Sequence, residues 1–351
     1  MTIGPSASTG ARITSLSDFQ HLLTTFQSQG YTEIDTARVY TGREQESFTA
    51  AAGWKERGLE IATKWYPLQP GFHTPAILRE KLNESLRELG TDSVDIFYLH
   101  APDRAIPFAE TLGEVDALYR EGKFKQLGLS NYTAYEVAEI VTLCCEREWV
   151  RPTIYQAMYN ALSKSLYCIR WTRRLTYVCF TVRTIEPELI PACRRYGLDI
   201  VIYNPIAAGV LAGKYKSADT IPSEGRFSAQ SPTGQNYRNR YFRDTTFAAV
   251  RVIEAAARKH GLTMAECAFR WTRHHSQLRF APHGNDGVVI GVSSVGQMES
   301  NVRDLEKGPL PGDVVEAFEE AWTLTKATAP VYWHGELDYN YDTREVLFGS
   351  P

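Results

Sequence analysis

The sequence predicts a parallel α/β barrel, and three observations carry that reading. Apolar, β-branched runs alternate with amphipathic helical stretches through most of the 351 residues, which is the pattern of repeated βα units. Asp35, Tyr40, Lys64 and His100 stand at or just past the ends of the apolar segments TEIDTARVY, LEIATKW and VDIFYLH. Parallel barrels assemble their sites from strand ends of this kind. The chain length also suits one such unit, because α/β barrels often run past about 250 residues as a single domain.

Taken in order, the strand segments are Thr32–Ile34, Glu60–Thr63, Val94–Leu99, Gln126–Leu129, Thr153–Gln156, Ile200–Tyr203 and Val288–Ile290. Met1–Ile3 stands as a truncated eighth. The helix after the second strand is clearly punctuated: Thr74 as N-cap, Pro75 at the first position, an apolar stripe of Leu78, Leu82, Leu86 and Leu89, then Gly90. Further helices are expected at Phe108–Arg120 before Gly122, at Ala134–Arg147 behind Thr133, at Pro187–Tyr196 before Gly197, and at Met264–His274 behind Thr263. A C-terminal helix and tail occupy 306–351.

Two places break the rhythm. About 30 residues separate the strand Thr153–Gln156 from the helix at Pro187, where a βα loop usually has two to six. Within them Lys164–Val182 contains no Asp, Glu, Gly or Pro, four basic residues and four aromatics. It reads as a non-native insert, either a retained intron carried in frame or an irregular loop. A spliced transcript that uniformly contained the segment would exclude the intron. The second break, Gly213–Phe242, is rich in Gly, Ser, Arg and Tyr and reads as a long functional loop.

Composition narrows the function classes. A net charge of −3 and a pI near 6.3 argue against general binding to nucleic acid or to anionic membranes. The first residues lack an apolar leader core and no run of 18 apolar residues follows, so a cytoplasmic protein is expected. Six cysteines, irregularly spaced and without a CxxC pair, suggest buried or incidental thiols and no metal. No GxGxxG follows a first strand, so a Rossmann domain is not indicated.

Eight motifs occur in an order that resembles the aldo-keto reductases, and most closely their aflatoxin-aldehyde-reductase-like branch. They are EIDTARVYTGREQE, ATKW, LGTDSVDIFYLHAPD, REGKFKQLGLSNY, YQAMYN, YNPIAAGVLAGKY, GRF with YRNRYF, and GVSSVGQMESN. Together they span about residues 2–305, apart from Lys164–Val182. The resemblance implies a (β/α)8 TIM barrel that reduces aldehydes or ketones with NADPH, takes a small-molecule carbonyl substrate, and needs no metal. It leaves a homodimer open.

Carbonyl reduction needs a hydride at carbon and a proton at oxygen, so an acid must sit near the developing alkoxide. Tyr40 is the candidate acid. A phenol with an ordinary pKa of about 10 is a poor relay at neutral pH, and the expectation is that the Lys64 ammonium lowers it. Asp35 can hold Lys64 charged and oriented, and His100 can donate to the carbonyl oxygen. The resemblance assigns the same roles to these positions.

For the cofactor, Ser130, Asn131 and Gln156 offer the hydroxyl and amide groups that a nicotinamide carboxamide needs, and Tyr203 offers an aromatic face. The following loop supplies Asn204, Pro205, Gly209, Leu211, Gly213 and Lys214, with glycines that let backbone approach a pyrophosphate. Ser293, Ser294, Gln297 and Asn301, together with Arg226, resemble the family's residues around the adenosine 2′-phosphate. Tyr237 and Arg240 resemble positions that meet the far end of the substrate, and Trp65 is expected as an apolar wall.

Two departures from the family pattern define the alternative. The insert follows a strand beside Gln156, and the chain begins at a turn where the family has a full first strand. An open ladder edge is a stability liability. The alternative reading is therefore a catalytically impaired barrel acting as a cofactor-binding or regulatory module.

Overall fold

The structure, a computed structural model, describes residues 2–162, 183–231, 233–328 and 331–349. Lys164–Val182 lies outside the described residues, as do Cys168 and Cys179. Seven strands form one sheet in sequence order: β1 (Glu33–Asp35), β2 (Glu60–Trp65), β3 (Val94–Leu99), β4 (Phe124–Ser130), β5 (Ile154–Met158), β6 (Asp199–Tyr203) and β7 (Gly287–Val289). Every neighbouring pair is parallel. Helices intervene: α1 (Leu16–Ser28), α2 (Gln45–Ala51), α3 (Pro75–Leu89), α4 (Phe108–Arg120), α5 (Ala134–Glu146), α6 (Leu189–Tyr196), α7 (Gly234–Tyr241), α8 (Asp244–Lys259), α9 (Met264–His274), α10 (Val295–Glu306), α11 (Gly312–Thr325) and α12 (Thr343–Phe348). The architecture is a nearly closed (β/α)8-type barrel.

All seven strands fall within a few residues of the segments read from the sequence. The eighth does not. Ile3 makes an isolated bridge to Ile13, and residues 2–13 fold back on themselves through Gly4 N to Ile13 O and Arg12 N to Thr2 O. Among the described residues no strand joins β7 to β1, so the barrel has a gap there. The long-loop expectation for Gly213–Phe242 also needs correction, because α7 occupies most of its last third.

The leucine stripe of α3 is buried as its spacing dictates, and Gly90 closes the helix at φ 68°. Thr74 precedes Pro75 but its side chain makes no capping bond, whereas Thr133 and Glu136 form a reciprocal capping box at α5. Strand alternation divides the core in two. One face of the sheet packs on the helices. The other forms a small inner cluster of Ala62, Ile96, Tyr98, Ile154 and Val201 beneath the mouth of the barrel.

Gly128 in β4 shows how tightly that interior is fitted. A Cβ there would lie 2.2 Å from the ring of Tyr98, whose ring centroid is 5.6 Å from Lys64 Nζ. Gly128→Ala is expected to destabilise the fold by about 1–3 kcal/mol through overpacking, measurable as a lower urea midpoint with an unchanged slope. Cys144, Cys193 and Cys267 are buried free thiols, and burial pushes each up to about 12, so they are inert at neutral pH. Among the described residues no helix is long and apolar enough to cross a membrane.

Candidate active site

Register brings the chemistry to one end of the barrel. Asp35 pairs with Ala62, Lys64 with Tyr98, and Ser130 with Gln156, so the C-terminal ends of β1 to β5 lie at one level. Lys64, fully buried, donates to Asp35 Oδ1 at 2.5 Å and to the Thr36 carbonyl at 2.8 Å. Gln156 Nε2 donates to the same Asp35 oxygen at 2.8 Å. Tyr40 follows β1, and Lys64 Nζ lies 5.3 Å from its ring centroid. The imidazole of His100 meets the Tyr40 ring edge to face at 5.7 Å. The four residues anticipated from strand ends therefore form one cluster.

Electrostatics correct one expectation. Burial holds the Tyr40 phenol well above its ordinary value, and Asp35 adds to that, so the site does not lower Tyr40. Burial likewise lowers Lys64, opposed by its ion pair and hydrogen bond with Asp35. His100 is held well below the ordinary imidazole range by burial and by the Lys64 charge, so it is neutral at neutral pH. Its buried Nδ1 has no hydrogen-bond partner. A neutral phenol and a neutral imidazole at the mouth are hydrogen-bonding groups suited to a polar oxygen.

Two residues the sequence reading missed complete the pocket. The Tyr66 ring meets His100 edge to face at 5.4 Å, and its hydroxyl lies 3.3 Å from His334 Nδ1. Tyr66 was detectable, since alternation along β2 returns the chain to the Lys64 side two residues later. His334 was not, because it comes from the C-terminal segment 331–349, which has no hydrophobic period over that stretch. That segment is strapped across the barrel end: Arg104 pairs with buried Glu136 and donates to the carbonyls of His334 and Glu336, while the His334 amide donates to the Asn131 carbonyl.

Trp65 is not brought to the pocket. It alternates to the opposite face of β2 from Lys64, stacks on Phe72 at 6.3 Å and donates its indole N–H to the Phe72 carbonyl, so it supports the strand from the helix layer. Arg240 does face the pocket side, with Nη1 3.3 Å from Met158 Sδ and the guanidinium over the Tyr237 ring. Arg226 also engages Tyr237, through its hydroxyl at 3.1 Å.

The residues anticipated for a nicotinamide cofactor fit one in several respects. Asn131, in the left-handed region at φ 64°, donates to the His100 carbonyl and to Ser130 Oγ and accepts from the Tyr203 hydroxyl, which fixes that ring. After β6, Asn204, Ala207, Ala208, Gly209 and Gly213 all take positive φ, and Asn204 Oδ1 accepts from the Ala208 amide at 2.5 Å. A Cβ on Gly209 would meet nothing within 4 Å, so the backbone there faces open space, as an anion cradle requires. Leu211 and Pro205 are buried, which leaves them backbone roles only, and Lys214 is exposed. Ser294 caps α10 and Ser293 bonds Gln297, so these three exposed side chains sit at a helix N-terminus, with Asn301 half-buried farther along.

Three histidines, His73 buried and His100 and His334 half-buried, give this end of the molecule a pH signature. His73 is lowered to about 4 and His334 to about 3, both by burial, and His100 moves the same way. Between those values and the ordinary 6.5 the unfolded chain binds more protons than the native one. Stability should therefore be complete above about pH 6.5 and fall as pH drops through 5 toward 4, by on the order of 3 kcal/mol from His73 alone. Urea titrations at pH 7 and pH 5 measure it; equal midpoints would contradict the neutral histidines.

The aldo/keto reductase family model matches residues 1–323. Aldo-keto reductase pigE of Monascus ruber is 38% identical over 343 residues, covering 94% of each chain. An aldo-keto reductase of Pseudocercospora fijiensis is 42% identical over 318 residues, 89% of this chain and 100% of that protein. Human aflatoxin B1 aldehyde reductase member 2 is 40% identical over 318 residues, 88% of this chain and 82% of that protein. With the barrel and its strand-end cluster, these matches establish that the chain belongs to the aldo/keto reductase family and is an oxidoreductase by descent.

Proposed function

We propose that the chain reduces small aldehydes or ketones to alcohols with NADPH, with Tyr40 as the proton donor. The observation that carries this is the cluster of Tyr40, His100 and the Lys64–Asp35 pair at one barrel mouth. Bound NADPH would supply the hydride to the carbonyl carbon. Ser130, Asn131, Gln156 and Tyr203 would hold its nicotinamide end, the Asn204–Lys214 loop its pyrophosphate, and Arg226, Ser293, Ser294, Gln297 and Asn301 its adenosine end.

Among the chain's own groups, His100 aligns the carbonyl oxygen and Tyr40 gives it a proton. The raised Tyr40 suits that order of events. A neutral phenol is the proton-bearing form, and the alkoxide that forms at the oxygen is more basic than a phenolate even in this buried site. Lys64 then acts on the product side, because its ammonium stabilises the phenolate left on Tyr40, and Asp35 keeps that ammonium in place. Arg240 and Tyr237 would meet the far end of the substrate, with Tyr66 and His334 beside the carbonyl.

Purified protein with NADPH tests the reading. Quenching of protein fluorescence should report cofactor binding, and nicotinamide absorbance should fall when an aromatic aldehyde or a dicarbonyl is added. Binding without oxidation of any carbonyl compound would favour an impaired module instead.

A further inference from the structure

Tyr40 opens a turn of unusual shape. Thr41, Gly42 and Arg43, the next three residues, all lie in the left-handed region, at φ 44°, 69° and 74°, although two of them carry a Cβ. Such a run persists only where its surroundings over-determine it.

The surroundings are an ion pair outside the catalytic cluster. Arg38 Nη2 donates to the Arg43 carbonyl at 2.6 Å, closing the turn, while Nη1 donates to Glu46 Oε2 at 2.5 Å. The other oxygen of Glu46 accepts from Thr63 Oγ1 at 2.6 Å. Thr63 immediately precedes Lys64, and the Arg38 amide donates to the Lys64 carbonyl at 3.1 Å. Glu46 is fully buried and Arg38 is 4% exposed. From the other side, a Cβ on Gly4 would lie 2.5 Å from Thr41 Oγ1, and one on Gly42 would lie 2.8 Å from Thr9 Cγ2. One carboxylate thus ties the strand that carries Lys64 to the turn that follows Tyr40.

We propose that Glu46 and Arg38 are positioning residues for the reaction: they fix the Tyr40 hydroxyl relative to Lys64 by clamping the left-handed turn to β2. The proposal rests on the reductase reading for its catalytic consequence and on the clamp alone for its geometric one. A buried ion pair is a weak source of stability, since an apolar pair of similar volume often serves as well. Placement is where such a clamp matters, because a misplacement of about 1 Å in a reacting group can cost about a hundredfold in rate.

The test is the double variant Arg38→Met/Glu46→Gln, which leaves no buried charge unpaired and so protects the fold. Two readouts decide. In NADPH-dependent reduction kcat should fall by at least about tenfold, while KM for the aldehyde and for NADPH stays within about threefold. In amide exchange, the Tyr40 and Glu44 amides, bonded to Ala37 and Thr41 carbonyls, should exchange at least about tenfold faster, with the amides of α5, which Arg38 and Glu46 do not touch, unchanged. Wild-type kcat in the variant would overturn the proposal, as would unchanged exchange at Tyr40 and Glu44. Faster exchange throughout α5 would also overturn it, marking the pair as structural support alone. If the wild-type chain reduces no carbonyl compound the functional reading fails by itself, and the exchange measurement still decides the clamp.

Discussion

Tyr40→Phe should lower kcat for carbonyl reduction by about a thousandfold, within the range that a positioned acid contributes. Binding of NADPH should be nearly unchanged. The variant removes one oxygen and keeps the ring that packs edge to face with His100 and sits beside the Lys64 ammonium, so the pocket keeps its shape. A hydride transferred to a carbonyl whose oxygen lacks a proton source leaves an alkoxide in a buried site, and that charge is expensive there. Stopped-flow kinetics with saturating cofactor isolate the step. Turnover equal to wild type would remove Tyr40 from the mechanism.

The ion pair beneath it gives the second large effect, and two substitutions separate its parts. Asp35→Ala leaves the Lys64 ammonium with only the Thr36 carbonyl as a partner, in a site where the lysine side chain has no exposure. Removing one partner of a buried pair costs about 3–5 kcal/mol, so this variant should lose both stability and activity. Lys64→Met removes the buried charge itself and leaves Asp35, which is partly exposed and still accepts from Gln156. It should lose less stability but still lose activity, because the phenolate formed on Tyr40 no longer has an ammonium near it. Urea denaturation beside steady-state kinetics reads both. The reverse ranking, with Lys64→Met the less stable variant, would mean that the pair serves the fold first.

Strand placement and Asp35, Lys64 and His100 were legible in the sequence because they follow from alternation, and Tyr40 because it stands in the loop just past the first strand. An apolar run that ends in Asp35, Lys64 or His100 states its own inward face, and the register then brings those ends together. The same rule, carried two residues past Lys64, would have found Tyr66 and would have set Trp65 against Phe72 in the helix layer. What could not be read was set by contacts distant in sequence. His334 reaches the pocket because Arg104, itself held by Glu136, grips two carbonyls of a tail with no period of its own. The raised Tyr40 was missed because proximity to an ammonium was expected to dominate. That ammonium is paired with Asp35, and burial of the phenol, with the Asp35 charge beside it, sets the direction. Met1–Ile3 reads as a truncated eighth strand, yet Ile3 bridges Ile13 and does not join the sheet.

The most direct measurement is the fate of deuterium from NADPH carrying deuterium at both nicotinamide C4 positions, in a reaction of the purified chain with an aldehyde. If the strand-end cluster couples hydride and proton transfer, wild-type protein should give an alcohol with deuterium on the carbinol carbon, and Tyr40→Phe should give almost none while still binding the cofactor. An unlabelled alcohol, or no alcohol from a wild-type chain that binds NADPH, would contradict it.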